Sequence, residues 1–372
     1  MPSPRGPGED PVMSFIRPPA DGPVGTPRPA EDAAPAPGEH GLRPGRVVAL
    51  PSATGAARAL AVVGLLTLGA LIPLLGPGAA LEGTGEALAP AARPVGVLRT
   101  VLFAALCVQA GEVWVARMVP AVRGAPAGLL PRAWSPVAAC CGLLAAVALS
   151  AIVANGNIWP RTWSELRFGE LYGTGDGVLA LLEINAFAAA WLLALSRRPG
   201  LAALPLAVLV VAEAVRAHPE IETPLLGSAL TLVHLTCGAL WAGGLLQVLR
   251  VLRLWQGHGL RQQGAALLAR YARAAAWLFA AVTVTGTLST LRRMEPHTVL
   301  EQLTTTGYGR TLLAKLLLLA VVAVLALRAR RRAVAAGDPG AVFAPGRAEV
   351  ALLGLVVAVS ALLTALPVPI RW

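Results

Sequence analysis

Between Leu230 and Leu246 an apolar run carries His234, Cys237 and Trp241. Histidine is costly in hydrocarbon, so one inside such a run points to a functional site. Cys237 follows His234 by three residues, which puts both side chains on one face of a helix. An imidazole and a thiolate one turn apart suit a soft metal such as Cu(I), although two ligands make only part of a site. His234 also has a structural reading, a hydrogen bond to a carbonyl or a Ser/Thr hydroxyl on a neighbouring helix. In Trp241-Ala-Gly243-Gly244 the glycines let another helix approach closely beside the indole.

Further soft ligands flank this run. His218 sits in RAHPEIETP, with Glu220 and Glu222 close by, and Met294 and His297 share RRMEPH. Both stretches read as loops on one side of the chain. His40 and His258 have no partner at metal-ligand spacing and read as solvent-facing. Downstream come Arg270-Tyr-Ala-Arg273, Thr285-Gly286, Thr306-Gly-Tyr-Gly-Arg310, Lys315 and Leu362-Leu-Thr-Ala-Leu-Pro367. Together with the spacing from His234 to Trp241-x-Gly-Gly, this ordered set resembles the copper resistance D (CopD) membrane domain over roughly residues 215–368. The resemblance implies a membrane protein of copper handling, with import from the outer face. His234 and, matching the family's Gly-His position, His218 are the first candidate ligands; Cys237, Met294 and His297 are further candidates by their own chemistry and spacing, and Cys237 matches no motif of the family. At His218 the family's Gly-His pair is Ala-His.

These ligands must be held by elements suited to lipid. A mean hydropathy of +0.65 with 14% charged residues describes an all-α polytopic transmembrane bundle rather than a water-soluble domain. Nine stretches are long enough to span a bilayer: about 57–76, 96–118, 134–155, 177–197, 200–216, 227–250, 267–290, 310–329 and 348–366. Residues 1–52 read as a disordered Pro/Ala/Gly-rich cytoplasmic tail. Residues 53–199 form a first transmembrane half, and 200–368 the CopD-like half. Cys107, Cys140, Cys141 and Cys237 all fall within spans, where packing is the plain role of a thiol.

The net charge of +11 is a topology signal and not a nucleic-acid footprint. Arginines crowd the tail and alternate connections, as at Arg117, Arg123 and Arg132 or Arg250, Arg253 and Arg261. By the positive-inside rule the amino terminus is cytoplasmic and the carboxyl terminus extracytoplasmic, in the plasma membrane.

An offset of 132 residues relates Thr174-Gly-Asp-Gly177 to Thr306-Gly-Tyr-Gly309, Glu183 to Lys315, and Ala110-Gly111 to Ala242-Gly243. A parallel 4 + 4 repeat with a ninth helix appended would follow, with sites at the repeat interface. It predicts that Glu183 and Lys315 meet, as a structural pair or in transport, since either charge alone in lipid is expensive. Glu112 has no adjacent cation. It reads either as a protonated, hydrogen-bonded acid sharing a polar surface with Gln109, or as a relay.

Nothing in the sequence favours an enzyme. Only His234 is placed to serve as an internal haem ligand, so bis-histidine haem is disfavoured. No nucleotide-binding glycine-lysine loop occurs. Cys-x-x-Cys and Gly-x-Ser-x-Gly are absent too. The expected partners are the copper ion, the bilayer and an extracytoplasmic copper-binding protein. A non-transporting factor in cuproprotein assembly or copper sensing is a second reading, and a carrier of an unrelated small solute a third.

Overall fold

In hydrocarbon a backbone satisfies its polar groups only within helices or closed barrels. The computed structural model describes residues 53–126, 128–167, 169–217, 223–294, 296–336 and 343–368; within them it contains helices and no strand. The tail 1–52 with His40, and His218, Glu220 and Glu222, lie outside the described residues.

The helices are α1 (Ala53–Leu81), α2 (Ala92–Met118), α3 (Ser135–Ala154), α4 (Glu170–Gly173), α5 (Gly175–Leu195), α6 (Ala203–Arg216), α7 (Pro224–Gly257), α8 (Arg261–Arg293), α9 (Val299–Thr305), α10 (Gly307–Ala336) and α11 (Phe343–Leu363). Eight are long and apolar enough to cross a membrane among the described residues: α2, α3, α5, α6 with the turn before it, α7, α8, α10 and α11. The expected first span at 57–76 falls within α1, a 29-residue helix with Pro73 and Pro77 in its interior, whose apolar part among the described residues includes Thr67–Leu81.

The centre of the bundle is a crossing of α2 and α7. A Cβ at Gly111 would overlap the backbone of Gly243, and one at Gly243 would overlap the Cys107 carbonyl oxygen. Only glycine at both positions lets the two backbones touch. Gly244 lies under Trp114 and Tyr271. Those two rings meet edge to face at 5.9 Å, and the Tyr271 hydroxyl donates to the Trp241 carbonyl at 2.8 Å. Trp241 stacks edge-on against Phe279 at 5.3 Å. The glycines and tryptophan singled out in the sequence therefore lock α2, α7 and α8 together.

The two Thr-Gly-x-Gly stretches begin α5 and α10 in the same way. Thr174 Oγ1 accepts from the Gly177 amide at 3.1 Å, and Thr306 Oγ1 from the Gly309 amide at 3.0 Å. These are N-cap bonds. The short helices α4 and α9 fold back so tightly that a Cβ at Gly177 or Gly309 would strike their backbones.

One end of the bundle gathers the ends of α1 and α8 with the starts of α7 and α10. Arg310 donates to the Glu82 carbonyl, Arg292 bonds Thr223, and Arg293 bonds the Tyr308 hydroxyl.

Candidate metal centre

His234 lies ten residues into α7, roughly 15 Å from its start at 1.5 Å per residue. It is half-buried. Its Nδ1 is 3.0 Å from Thr285 Oγ1 on α8. The Thr285 hydroxyl also lies 2.7 Å from the Ala281 carbonyl, which can only accept. A hydroxyl has one hydrogen, so Thr285 donates to Ala281 and accepts from Nδ1–H. That assignment fixes the neutral tautomer, with the proton on Nδ1 and the lone pair on Nε2. Gly286 makes room for the ring, since a Cβ there would meet His234 Cε1 at 3.3 Å.

Cys237 follows one turn along α7 as a half-buried free thiol. All four cysteines are free. Met294 closes α8 and is completely buried, whereas His297 in the following turn is exposed. The loop thus presents these two candidates to different surroundings. Met294 is nine residues beyond Thr285, roughly 13 Å farther along the helix. Among the described residues, no three of His, Cys, Asp and Glu gather closely enough to hold a metal ion.

Lys315, eight residues into α10, is the only lysine in the chain. It lies within electrostatic range of His234 and Arg293. The expected partnership with Glu183 does not form. Glu183 instead accepts from Arg216 Nη1 at 2.9 Å, because α6 packs directly on α5 and ends where its last residue reaches that carboxylate. Arg216 Nη1 is also 3.9 Å from Glu213 Oε1, and Arg99 Nη1 is 3.9 Å from Glu213 Oε2.

Glu112 has the cation that the sequence did not place beside it. Its carboxylate accepts from the Trp134 and Ser135 amides at 2.8 and 2.9 Å, and from the Ser135 hydroxyl at 2.5 Å. Arg250 Nη1 adds a fourth donor at 2.6 Å. Every contact is a donor, which suits an ionised, acceptor-only carboxylate placed at the positive start of α3. Arg250 is held in turn by Gln247 Oε1 at 2.7 Å, the Arg132 carbonyl and the face of Trp134. Gln109 bonds its own helix at Ala105 and not Glu112.

Sequence reasoning missed Arg99, Glu213, Arg216 and Arg250. A signal was present in the fifth span, where Glu213 and Arg216 stand three residues apart in an otherwise apolar helix. An acid and a base at that spacing share a face, and intramembrane charges rarely lack partners.

The family model described as copper resistance protein D matches residues 265–363. This is narrower than the expected 215–368. It takes in Thr285, Gly286, Met294, His297 and Lys315, and leaves out α7 with His234, Cys237 and the Trp241–Gly244 crossing. No curated protein matches the chain, and no solved structure does. The chain is a polytopic helical membrane protein whose carboxyl-terminal segment is similar to CopD, which supports a CopD-like membrane role in copper handling.

Proposed function

We propose that the chain imports copper across the plasma membrane from the outer face, with His234 as the central ligand. The observation that carries this is the bond from His234 Nδ1–H to Thr285, which leaves Nε2 unprotonated beside a helix of the CopD-like segment. Metal-binding histidines are commonly held this way, with the second ring nitrogen bonded to a fixed acceptor that sets tautomer and orientation. Neutral imidazole binds copper in either oxidation state, and Cys237 adds a soft donor one turn away. His218 would supply a further ligand from the loop between α6 and α7, and Met294 and His297 would serve earlier on the route. The copper would come from an extracytoplasmic binding protein.

In this reading the amino terminus is cytoplasmic, the tail 1–52 is disordered, and the halves 53–199 and 200–368 form a parallel repeat. The order of two long helices, a short one and two long ones occurs twice, in α2–α6 and α7–α11, which supports the repeat. The counterpart glycines Gly111 and Gly243 meet at the α2–α7 crossing, as equivalent residues do beside a two-fold axis. This grouping makes α1, and not the last helix, the added element, and it moves the boundary between the halves from residue 199 to the α6–α7 connection, so that α6 belongs to the first half.

The test is copper binding to the purified protein, followed by copper entry into liposomes carrying it. Binding with entry supports import. Binding without entry would favour an assembly or sensing factor, and no binding at all a carrier of another solute. For orientation, single cysteines near residues 167, 258 and 297 should be labelled in a background lacking the native four. An impermeant reagent should reach 167 and 297 and spare 258. The reverse pattern would turn the protein over.

A further inference from the structure

The buried charges of the first half form a group that the copper reading does not use. Arg99 from α2, Glu183 from α5, and Glu213 and Arg216 from α6 converge in the outer half of the bundle. Arg99 lies seven residues from the outer start of α2 and Glu183 eight from that of α5, each roughly 10–12 Å deep. Glu183 is 1% exposed and Glu213 3%; the Arg99 and Arg216 side chains are 14% and 10% exposed. These are the charged groups that face Glu183. Helix α3, which also packs on α5, carries no charged residue.

A dry ion-pair lock would use its polar atoms on one another, and this group does not. One contact, Arg216 to Glu183 at 2.9 Å, has hydrogen-bond length, while the other two stand at 3.9 Å. Glu183 Oε1, Glu213 Oε1, Arg99 Nε, Arg216 Nε and Arg216 Nη2 are buried with no hydrogen-bond partner. Each would cost several kcal/mol if left bare in hydrocarbon. The orphans include both donors and acceptors, so no simple cation or anion satisfies them, whereas water does. Polar groups at 3.9 Å are also spaced for a bridging water, and a buried water typically makes about three such bonds.

Two carboxylates that lean on one guanidinium nitrogen compete for its charge. Where acids share a site, a proton taken up by one relieves the other.

We propose that Glu183 and Glu213, with intervening water and flanked by Arg99 and Arg216, form a proton-exchanging site inside the first half of the bundle. A proton from bulk water is handed on through the water in the site, which gives one proton and receives another, and adds to a carboxylate oxygen; it leaves by the reverse route, while Arg216 turns toward the acid that stays ionised.

Infrared difference spectra of the full chain in lipid, taken between alkaline and acid pH without metal, test this. A carboxylic-acid C=O band should appear on acidification and shift in heavy water. Glu183→Gln or Glu213→Gln should weaken it, and the double change should remove it. If the glutamine variants do not fold, Glu183→Asp and Glu213→Asp should move the band. No titrating band in the wild type, or a band untouched by all these changes, would overturn the proposal. The measurement needs no copper, so its outcome is independent of the import reading.

Discussion

The two halves of the bundle repeat one order of helices but handle charge in opposite ways. In the first half α3 and α5 pack closely, with the Phe187 ring filling the space beside Gly142, and 44% of α3 is covered by protein. There Arg99, Glu183, Glu213 and Arg216 balance as two acids and two bases. In the second half α8 and α10 are each only 11% covered. They are joined where the end of α8 meets the start of α10, through Arg293 and Tyr308. There His234, Thr285 and Lys315 lie at similar depth. Glu183 stands eight residues into α5, and Lys315 eight residues into α10. The first region is neutralised within itself, while α10 carries the basic Lys315 beside His234. Under the two proposals above, proton chemistry and metal chemistry fall in different halves, and that contrast can be broken at particular residues.

The largest effect should come from His234→Ala, which removes the Nε2 lone pair. Copper binding by the purified protein should be lost with insertion intact, while Glu183→Gln leaves copper binding in place. Equal loss from both would erase the division between the halves. Normal binding by His234→Ala would make the histidine structural and defeat the import reading.

Next in size are the contacts that hold the halves together. Arg250→Ala leaves Glu112 with a buried charge and should destabilise the fold by about 3–5 kcal/mol. The outcome is read as a fall in thermal midpoint and yield. Gly243→Leu should prevent assembly altogether, because its side chain has no room against the Cys107 carbonyl. A well-folded Gly243→Leu protein would show that α2 and α7 do not touch there.

The Glu183–Arg216 contact should show up as coupling. Glu183→Gln and Arg216→Met should each lower stability, and the double change should cost less than their sum, since removing a pair whole leaves no lone charge. Glu183→Gln with Lys315→Gln should instead be additive. Coupling in the second cycle and none in the first would restore the sequence-based pairing.

Smaller effects separate the parts of the metal centre. Thr285→Val keeps the shape but removes the acceptor for Nδ1–H, and copper affinity should fall about 10–100-fold. An unchanged affinity would mean the tautomer is not set by this bond. Cys237→Ser should matter least, weakening Cu(I) binding and sparing Cu(II). A larger loss for Cu(II) would exclude the thiolate as the soft donor.

Much of the framework could be read without coordinates, because it rests on local rules. Runs such as Ser135–Ala154 are helical because hydrocarbon allows little else. Thr174 and Thr306 read as helix starts because a threonine hydroxyl reaches the amide three residues on. Gly243 and Gly244 read as packing positions because they lack side chains. Partnership was not legible. Glu183 chose Arg216, 33 residues away, and Glu112 chose Arg250, 138 residues away, and no periodicity encodes such distances. The sequence by itself determined that this is a helical membrane protein with one histidine inside its most glycine-rich span. Only the tertiary structure decided that this histidine bonds Thr285 and keeps Nε2 free, and which charges neutralise one another. Side chains on different helices meet according to how the helices pack, and that is set by the whole bundle at once.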